Sequence, residues 1–281
     1  MIYNLFAMSK VLTIQDISCY GQCSLTVALP LLSALGQETV ILPTAVLSTH
    51  TYNFKNFTVN DLSSDFDNIL NHWKNEGLKF DCLYTGYLGT KELVDHVKYI
   101  AKNYLKDNAK VIIDPAMGDK GKLYPAFNDE YVSKMKELIS IADILLPNVT
   151  EAAFLVGIDY QSDYDEEYIK KLLISLSNKG CSKIVFTDVS FKKGYTGVYS
   201  YIDGKFSYYE HEKISEGYHG TGDIFASVFT GVYLSKGDIY LAIKTAADFV
   251  ARCIKATIDD KDHWYGVKFE GQIKHLLNEL N

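Results

Sequence analysis

Three features of this 281-residue chain predict a three-layer α/β/α architecture with a central, mostly parallel sheet and an antiparallel edge. Short β-rich runs alternate with longer amphipathic stretches, several of the β-rich runs are apolar throughout, and after residue 190 two tyrosine-rich runs flank Asp203-Gly204. Repeated strand–helix alternation means crossover connections and parallel strands, and continuous apolarity means that both sheet faces are covered. An Asp-Gly pair between two such runs is a short-hairpin signal.

Taken in order, the expected strands are "KVLTIQ" (10–15), "ETVILPT" (38–44), "FDCLYT" (80–85), "KVIIDP" (110–115), "DILLPN" (143–148) and "SKIVFT" (182–187), all but the apolar "DILLPN" rich in β-branched or aromatic residues. Between them the apolar period lengthens to that of a helix at 24–35, 62–76, 90–106, 128–141, 149–156 and 165–179. The tyrosine-rich hairpin covers 197–213, an edge strand is expected near 52–59, and helices at 221–235, 238–258 and 269–280 close the fold. No internal repeat, low-complexity tract or linker interrupts the chain, which reads as a single domain over 1–281. A hydrophobic fraction of 47%, with 22% charged residues and five prolines, is ordinary globular composition.

Composition excludes several classes of partner. The net charge is −7 and no Lys/Arg run tracks a phosphate backbone, so nucleic acid is set aside in favour of a small solute. Apolar runs such as "VALPLLSAL" (27–35) fall short of the roughly 20 residues that a bilayer span needs, so no membrane contact is expected. The opening "MIYNLFAMSK" lacks the basic start and apolar stretch of a signal peptide. Cys19, Cys23, Cys82, Cys181 and Cys253 are an odd set that reads as reduced thiols of a cytoplasmic protein. The C-x3-C spacing of Cys19 and Cys23 has no second pair to make a metal site.

In open α/β sheets ligands bind beyond the carboxyl ends of the strands. At those ends stand Asp16, the 44–51 segment with His50 and Thr51, Tyr87 after Thr85-Gly86, Asp114, Asn148 and Thr187. The run "EGYHGTGDIF" (216–225) places Gly220, Thr221 and Gly222 before a helix expected to begin near Asp223. Unpaired N–H groups and a partial positive charge at a helix start bind an anion. An aspartate there repels the anion. Unless Asp223 simply caps the helix, its use is to take a proton from the group that attacks the anion. In "PNVTEAA" (147–153), Asn148 and Glu151 offer hard oxygen ligands of the kind Mg²⁺ takes, or plain helix-start chemistry. "DPAMGDKGKLY" (114–124) sets Asp114 and Asp119 in a glycine-containing loop, which a solvated loop would also explain. Neither a G-x-G-x-x-G after the first strand nor a P-loop is present, so a phosphate site here is of another kind.

"GTGDIF", "DPAMGD", "LLPNVTEA" and "LSTHT", with "IQDISCYGQCSLTVALPLLSALG" and "TGYLG", resemble the ribokinase-like superfamily and, within it, the pyridoxal (pyridoxine, pyridoxamine) kinases, over about residues 10–260. The resemblance implies ATP-dependent phosphorylation of the 5′-hydroxymethyl group of vitamin B6 forms. Asp223 would be the base, and the N–H groups of Gly220, Thr221 and Gly222 would hold the charge that builds on the transferred phosphoryl group. Asn148 and Glu151 would organise Mg²⁺, with Glu151 toward the metal and Asp114 nearby. Thr187 would touch an ATP phosphate, and Asp16, His50, Thr51 and Tyr87 would surround the acceptor ring. The 114–124 loop would be a flap that excludes water. A homodimer through the 52–59 edge or the tyrosine-rich hairpin is implied, and K⁺ is a candidate activator. The chain departs from the family pattern at Asp16, where many members carry Ser, at Tyr52, where many carry Gly, and at Asp188, where a small hydroxyl residue is common.

Hydroxymethylpyrimidine (phosphate) kinases share the fold and a similar acceptor. They usually show a glycine-rich Asp-Pro-Ser run after the first strand and Cys in place of Asp223, and neither occurs here. A catalytically silent binder would be expected to lose the base or the anion turn, and both are intact.

Overall fold

The apolar strands form one nine-stranded sheet. The computed structural model describes residues 8–214 and 217–280, so the first seven residues of the opening segment, and Glu216 of the glycine-rich run, lie outside the described residues. In chain order the elements are β1 (Lys10–Ser18), α1 (Leu25–Ala34), β2 (Glu38–Leu47), β3 (Val59–Asp61), α2 (Phe66–Asn75), β4 (Phe80–Thr85), α3 (Lys91–Asn103), β5 (Leu105–Ile113), β6 (Gly118–Asp119), β7 (Lys122–Leu123), α4 (Asp129–Met135), β8 (Ile144–Leu145), α5 (Val149–Val156), α6 (Glu166–Ser177), β9 (Lys183–Val189), β10 (Tyr195–Ile202), β11 (Lys205–Glu212), α7 (Thr221–Lys236), α8 (Ile239–Thr257) and α9 (Ile273–Leu280).

The sheet runs β11-β10-β9-β8-β5-β4-β1-β2-β3. From β9 to β2 the pairings are parallel, while β10 and β11 are antiparallel at one edge and β3 is antiparallel to β2 at the other. Successive residues of each strand supply opposite faces. Val11, Cys82, Tyr84, Ile112, Ile144 and Val185 pack with α1, α7, α8 and α9, whereas Leu12, Leu83, Ile113, Leu145 and Ile184 pack with α2 through α6. Each large aliphatic side chain so buried contributes about 1.5–3 kcal/mol. Asp203 and Gly204 both take positive φ, 48° and 91°, which a two-residue hairpin needs to follow the strand twist.

Four elements differ from the sequence reading. The helix expected at 90–106 ends at Asn103, because β5 already begins at Leu105. The polar first half of that strand hid it. Phe80 pairs with Leu105 but Cys82 with Lys110, so the intervening residues bulge, with Asn108 at φ 63°. The helix at 128–141 tightens into a 3₁₀ turn over Lys136–Ile141, and the edge strand lies at Val59–Asp61 rather than 52–59. Of "DILLPN" only Ile144–Leu145 forms ladder, followed by a single bridge from Asn148 to Thr187.

Candidate active site

Because the central strands are parallel, their carboxyl ends lie along one edge, and Asp16, Tyr87, Asp114, Asn148 and Thr187 come together there. The start of α7 joins them by close packing. Gly220 takes φ 79°, and a Cβ on it would lie 1.9 Å from the Gln22 carbonyl oxygen. Glycine is therefore required twice over, by conformation and by contact. At Gly222, by contrast, an added Cβ would meet no described atom within 4 Å beyond its own stretch of helix. Open space stands in front of the first turn, where N–H groups have no intrahelical partner. The Thr221 hydroxyl donates to the Tyr218 carbonyl at 2.9 Å.

The helix starts at Thr221, as the 221–235 span expected, and its capping residue is Gly220 with no side-chain cap. Asp223 is thus not the cap. The residue as a whole is partly exposed, but its carboxylate is enclosed. Burial pushes that carboxyl up to about 7, against the Ser24 backbone N–H, which favours the charged form, and with the help of the Asp16 charge. Ser24 takes φ 50° at the start of α1, caps nothing with its hydroxyl, and turns that hydroxyl to Asp16. Asp16 is 5% exposed, accepts from the Ser18 hydroxyl at 3.2 Å, and is itself raised by burial.

Asp114 and Glu151 add two buried carboxylates. Burial raises Asp114 well above the usual range, and the charges of Glu151 and Asp223 raise it further. Glu151 is pushed up to about 7 by burial, opposed by N–H donors of Asn148, Met117 and Gly118. Its Oε1 accepts from Met117 N–H at 3.0 Å and its Oε2 from Asn148 N–H at 2.9 Å. Asn148 completes a capping box on α5 and donates from Nδ2 to the Gly118 carbonyl at 2.8 Å. The 114–124 segment is a small hairpin of β6 and β7. It is tied down again by Gly121 N–H to the Thr150 hydroxyl at 3.0 Å. Tyr124, which follows it, has its phenol raised by burial and by the charges of Glu151, Asp119, Asp223 and Asp114.

On the other side, His50 is 2% exposed. Its Nδ1 accepts from Tyr52 N–H at 3.2 Å, which leaves Nε2 as the N–H that donates to the Tyr265 carbonyl at 2.9 Å. Burial lowers its pKa, so this neutral tautomer persists. Gly21, at φ 110°, leaves room for the ring, since a Cβ there would lie 2.0 Å from His50 Cδ2. Thr51 is exposed, and Tyr87 packs its ring on Phe127 at 5.1 Å while burial and the Asp16 charge push its phenol up to about 12. Thr187 is half-buried beside Asn148, and Asp188, at φ 56°, accepts from the Thr196 hydroxyl at 3.0 Å.

His219, Phe54 and Trp264 lay outside the sequence reading, which named Tyr52 only as a departure from the family pattern. Tyr52 stacks on His219 with ring centroids 5.3 Å apart and planes within 5°, His219 lies 4.3 Å from His50, and Phe54 meets Trp264 at 4.6 Å. These rings, from the 50–56 loop, the residue before Gly220 and the C-terminal loop, cover the edge near His50. The aromatic run "HWYG" (263–266) was its one visible trace in the sequence. Ser24 and Tyr124 carried no separable signal. All five cysteines are free thiols, with Cys19 exposed and the rest buried, and no cluster of three metal-binding side chains occurs among the described residues. No described helix is long and apolar enough to cross a membrane.

Residues 29–267 match the phosphomethylpyrimidine kinase family. A pyridoxal kinase of Dictyostelium discoideum is 28% identical over 271 residues, covering 90% of this chain and 87% of its own. A candidate phosphomethylpyrimidine kinase from Bacteroides thetaiotaomicron, crystallised in an orthorhombic form with pyridoxal, superposes with a TM-score of 0.90 at 34% identity over 96% of each chain. The pyridoxal kinase of Lactobacillus plantarum superposes with a TM-score of 0.89 at 31% identity over 98% of each chain. The architecture is thus the ribokinase-like α/β fold that the motifs implied.

Proposed function

The chain belongs to the phosphomethylpyrimidine kinase family, and from that membership and its own site we propose that it transfers the γ-phosphoryl group of ATP to the 5′-hydroxymethyl group of pyridoxal, pyridoxine or pyridoxamine. The observation that carries the reading is the Asp223 carboxyl, poised at about 7 beside the open first turn of α7. A base with that pKa is about half ionised at neutral pH and still basic enough to accept a proton. In the reaction Asp223 takes the hydroxyl proton as the oxygen bonds to the γ-phosphorus, and the bond from that phosphorus to the β,γ-bridging oxygen breaks, releasing ADP. The N–H groups of Gly220, Thr221 and Gly222 receive the charge that spreads over the transferred oxygens.

Asp16, His50, Thr51 and Tyr87 face the acceptor in this reading, and Asp114, Asn148 and Thr187 face the nucleotide. The residues fit a hard divalent cation: Asp114 and Glu151 are buried carboxylates, and the Glu151 charge raises Asp114. Both oxygens of Glu151 already accept backbone N–H bonds, so it suits Mg²⁺ through water rather than directly. Bound Mg²⁺ would neutralise phosphate charge. The hairpin carrying Tyr124 would exclude water from the transfer. A homodimer and a cytoplasmic setting belong to the same proposal, the first checked by light scattering.

ATP turnover with Mg²⁺, with and without K⁺, tests the reading with pyridoxal, pyridoxine, pyridoxamine and hydroxymethylpyrimidine in parallel. Turnover with a B6 form that drops by orders of magnitude in Asp223→Asn, with acceptor affinity held within about tenfold, is the expected result. The family description keeps the pyrimidine as the second reading, and turnover with it alone would move the chain there. Silence with every acceptor would leave a binder.

A further inference from the structure

Gln22, in the connection from β1 to α1, commits its backbone N–H and both polar atoms of its side chain. Its backbone N–H donates to the Tyr265 carbonyl at 3.3 Å, its Nε2 donates to Glu270 Oε1 at 2.7 Å, and its Oε1 accepts from His263 Nε2 at 2.9 Å. Its carbonyl oxygen is the atom against which Gly220 packs with no room for a Cβ. An amide is the side chain this position needs, because one end must accept from His263 while the other donates to Glu270.

We infer that Gln22 is a positioning residue, through which the C-terminal loop fixes the seat of the Gly220 turn. The same loop supplies the Tyr265 carbonyl that receives the His50 Nε2–H, and Trp264 on the aromatic cover. The acceptor side and the phosphoryl side of the site are thereby braced against one strut. The inference rests on the kinase reading for its kinetic consequence. Gln22 is itself only half-buried, so removing its side chain forfeits little apolar burial. A displacement of the first turn of α7 by about 1 Å, however, costs up to about 100-fold in rate.

The test is steady-state kinetics of Gln22→Ala, Gln22→Glu and the exchanged pair Gln22→Glu/Glu270→Gln, with pyridoxal and MgATP. In Gln22→Glu a carboxylate faces Glu270 and the donor is lost. In the exchanged pair the new carboxylate accepts from both His263 and the new amide. We expect the single variants to lose about tenfold or more in kcat with the ATP KM within about twofold, and the pair to return to within about threefold of wild type. A kcat for Gln22→Ala within about twofold of wild type, or a pair no faster than Gln22→Glu, overturns the inference. Should Gln22→Ala fail to fold, the exchanged pair still decides. Amide exchange of the 217–228 peptide reads the same seat without turnover and should quicken in Gln22→Glu and recover in the pair. A wild-type chain inactive with every acceptor would sink the kinase reading, and unchanged exchange in Gln22→Glu would sink this one.

Discussion

The pKa of Asp223 makes the rate depend on pH in a calculable way. Burial lifts this carboxyl from 3.8 to about 7. Only the ionised form accepts a proton, so the rate must rise with pH through that value. With a midpoint at 7, about one eleventh of the sites are ionised at pH 6 and about ten elevenths at pH 8, a rise of about tenfold, whereas an ordinary aspartate would give a flat line. The Asp16 charge is one of the causes of the shift. Asp16→Asn should therefore move the midpoint to lower pH, by about half a unit to one unit, whatever it does to the height of the curve. The assay is kcat/KM for pyridoxal at saturating MgATP, from about pH 5.5 to 8.5, in wild type and Asp16→Asn. A flat wild-type profile, or an Asp16→Asn midpoint that stays in place or moves up, would refute the argument that an enclosed, Asp16-facing carboxylate is the base.

The same shift has a cost in stability. A carboxyl raised on folding is stabilised only while protonated, so its stability is full below 3.8 and is lost as pH rises toward 7. Asp223→Asn should then unfold at a higher temperature than wild type at about pH 8 and at nearly the same temperature at about pH 4, and equal melting at both ends would contradict the enclosure. Gly220→Ala puts a Cβ 1.9 Å from the Gln22 carbonyl at φ 79°. It should lose about 1–2 kcal/mol in urea denaturation from conformation alone and lower kcat by more than tenfold, and normal values of both would mean that the turn is not seated as described. Glu151→Gln keeps one accepting oxygen where two N–H groups need one each, so it should loosen the flap. It should raise the Mg²⁺ requirement and speed ATP hydrolysis without acceptor. Unchanged values of both would remove Glu151 from the site.

How much of this was readable beforehand depends on whether a residue's partners lie near it in sequence. The strands, their mostly parallel character and the covering helices followed from apolar periodicity, because burial on two faces leaves a local trace, whereas the order of the strands in the sheet did not. The start of β5 did not, since "LKDNAK" bulges away from β4 and carries polar residues. Asp114, Asn148, Glu151 and Asp223 were legible because strand ends and helix starts are local features that point at one edge. Ser24 was not, because its job is to face Asp16 and Asp223, and nothing around it in sequence records a contact 199 positions away. Gln22 was hidden for the same reason, being held by His263 and Glu270 from the far end of the chain. Glu151 was legible as a polar group but not as a flap anchor, since its partner Met117 belongs to another loop.

The glycines of the anion turn show how one sequence signal divides into two physical causes. At Gly220 the missing side chain serves the protein, whose own carbonyl occupies the space. At Gly222 no described atom outside its own stretch of helix lies within 4 Å of the missing Cβ, and the residue is the second of α7, inside a regular helix. Backbone geometry there does not call for glycine, and alanine in a helix is favoured over glycine by about 1 kcal/mol. If the space is kept for the phosphoryl group in transfer, a methyl group in it must obstruct the reaction. Gly222→Ala should then unfold at higher denaturant than wild type, by about 1 kcal/mol of stability, while kcat falls about tenfold or more. The opposite signs are the informative part, because a variant that damages the fold lowers both. Denaturant midpoints and kcat measured on the same preparation decide it: greater stability with an undiminished kcat would show that nothing reacts in front of that turn, and the assignment of Gly222 to the transferred phosphoryl group would have to be withdrawn.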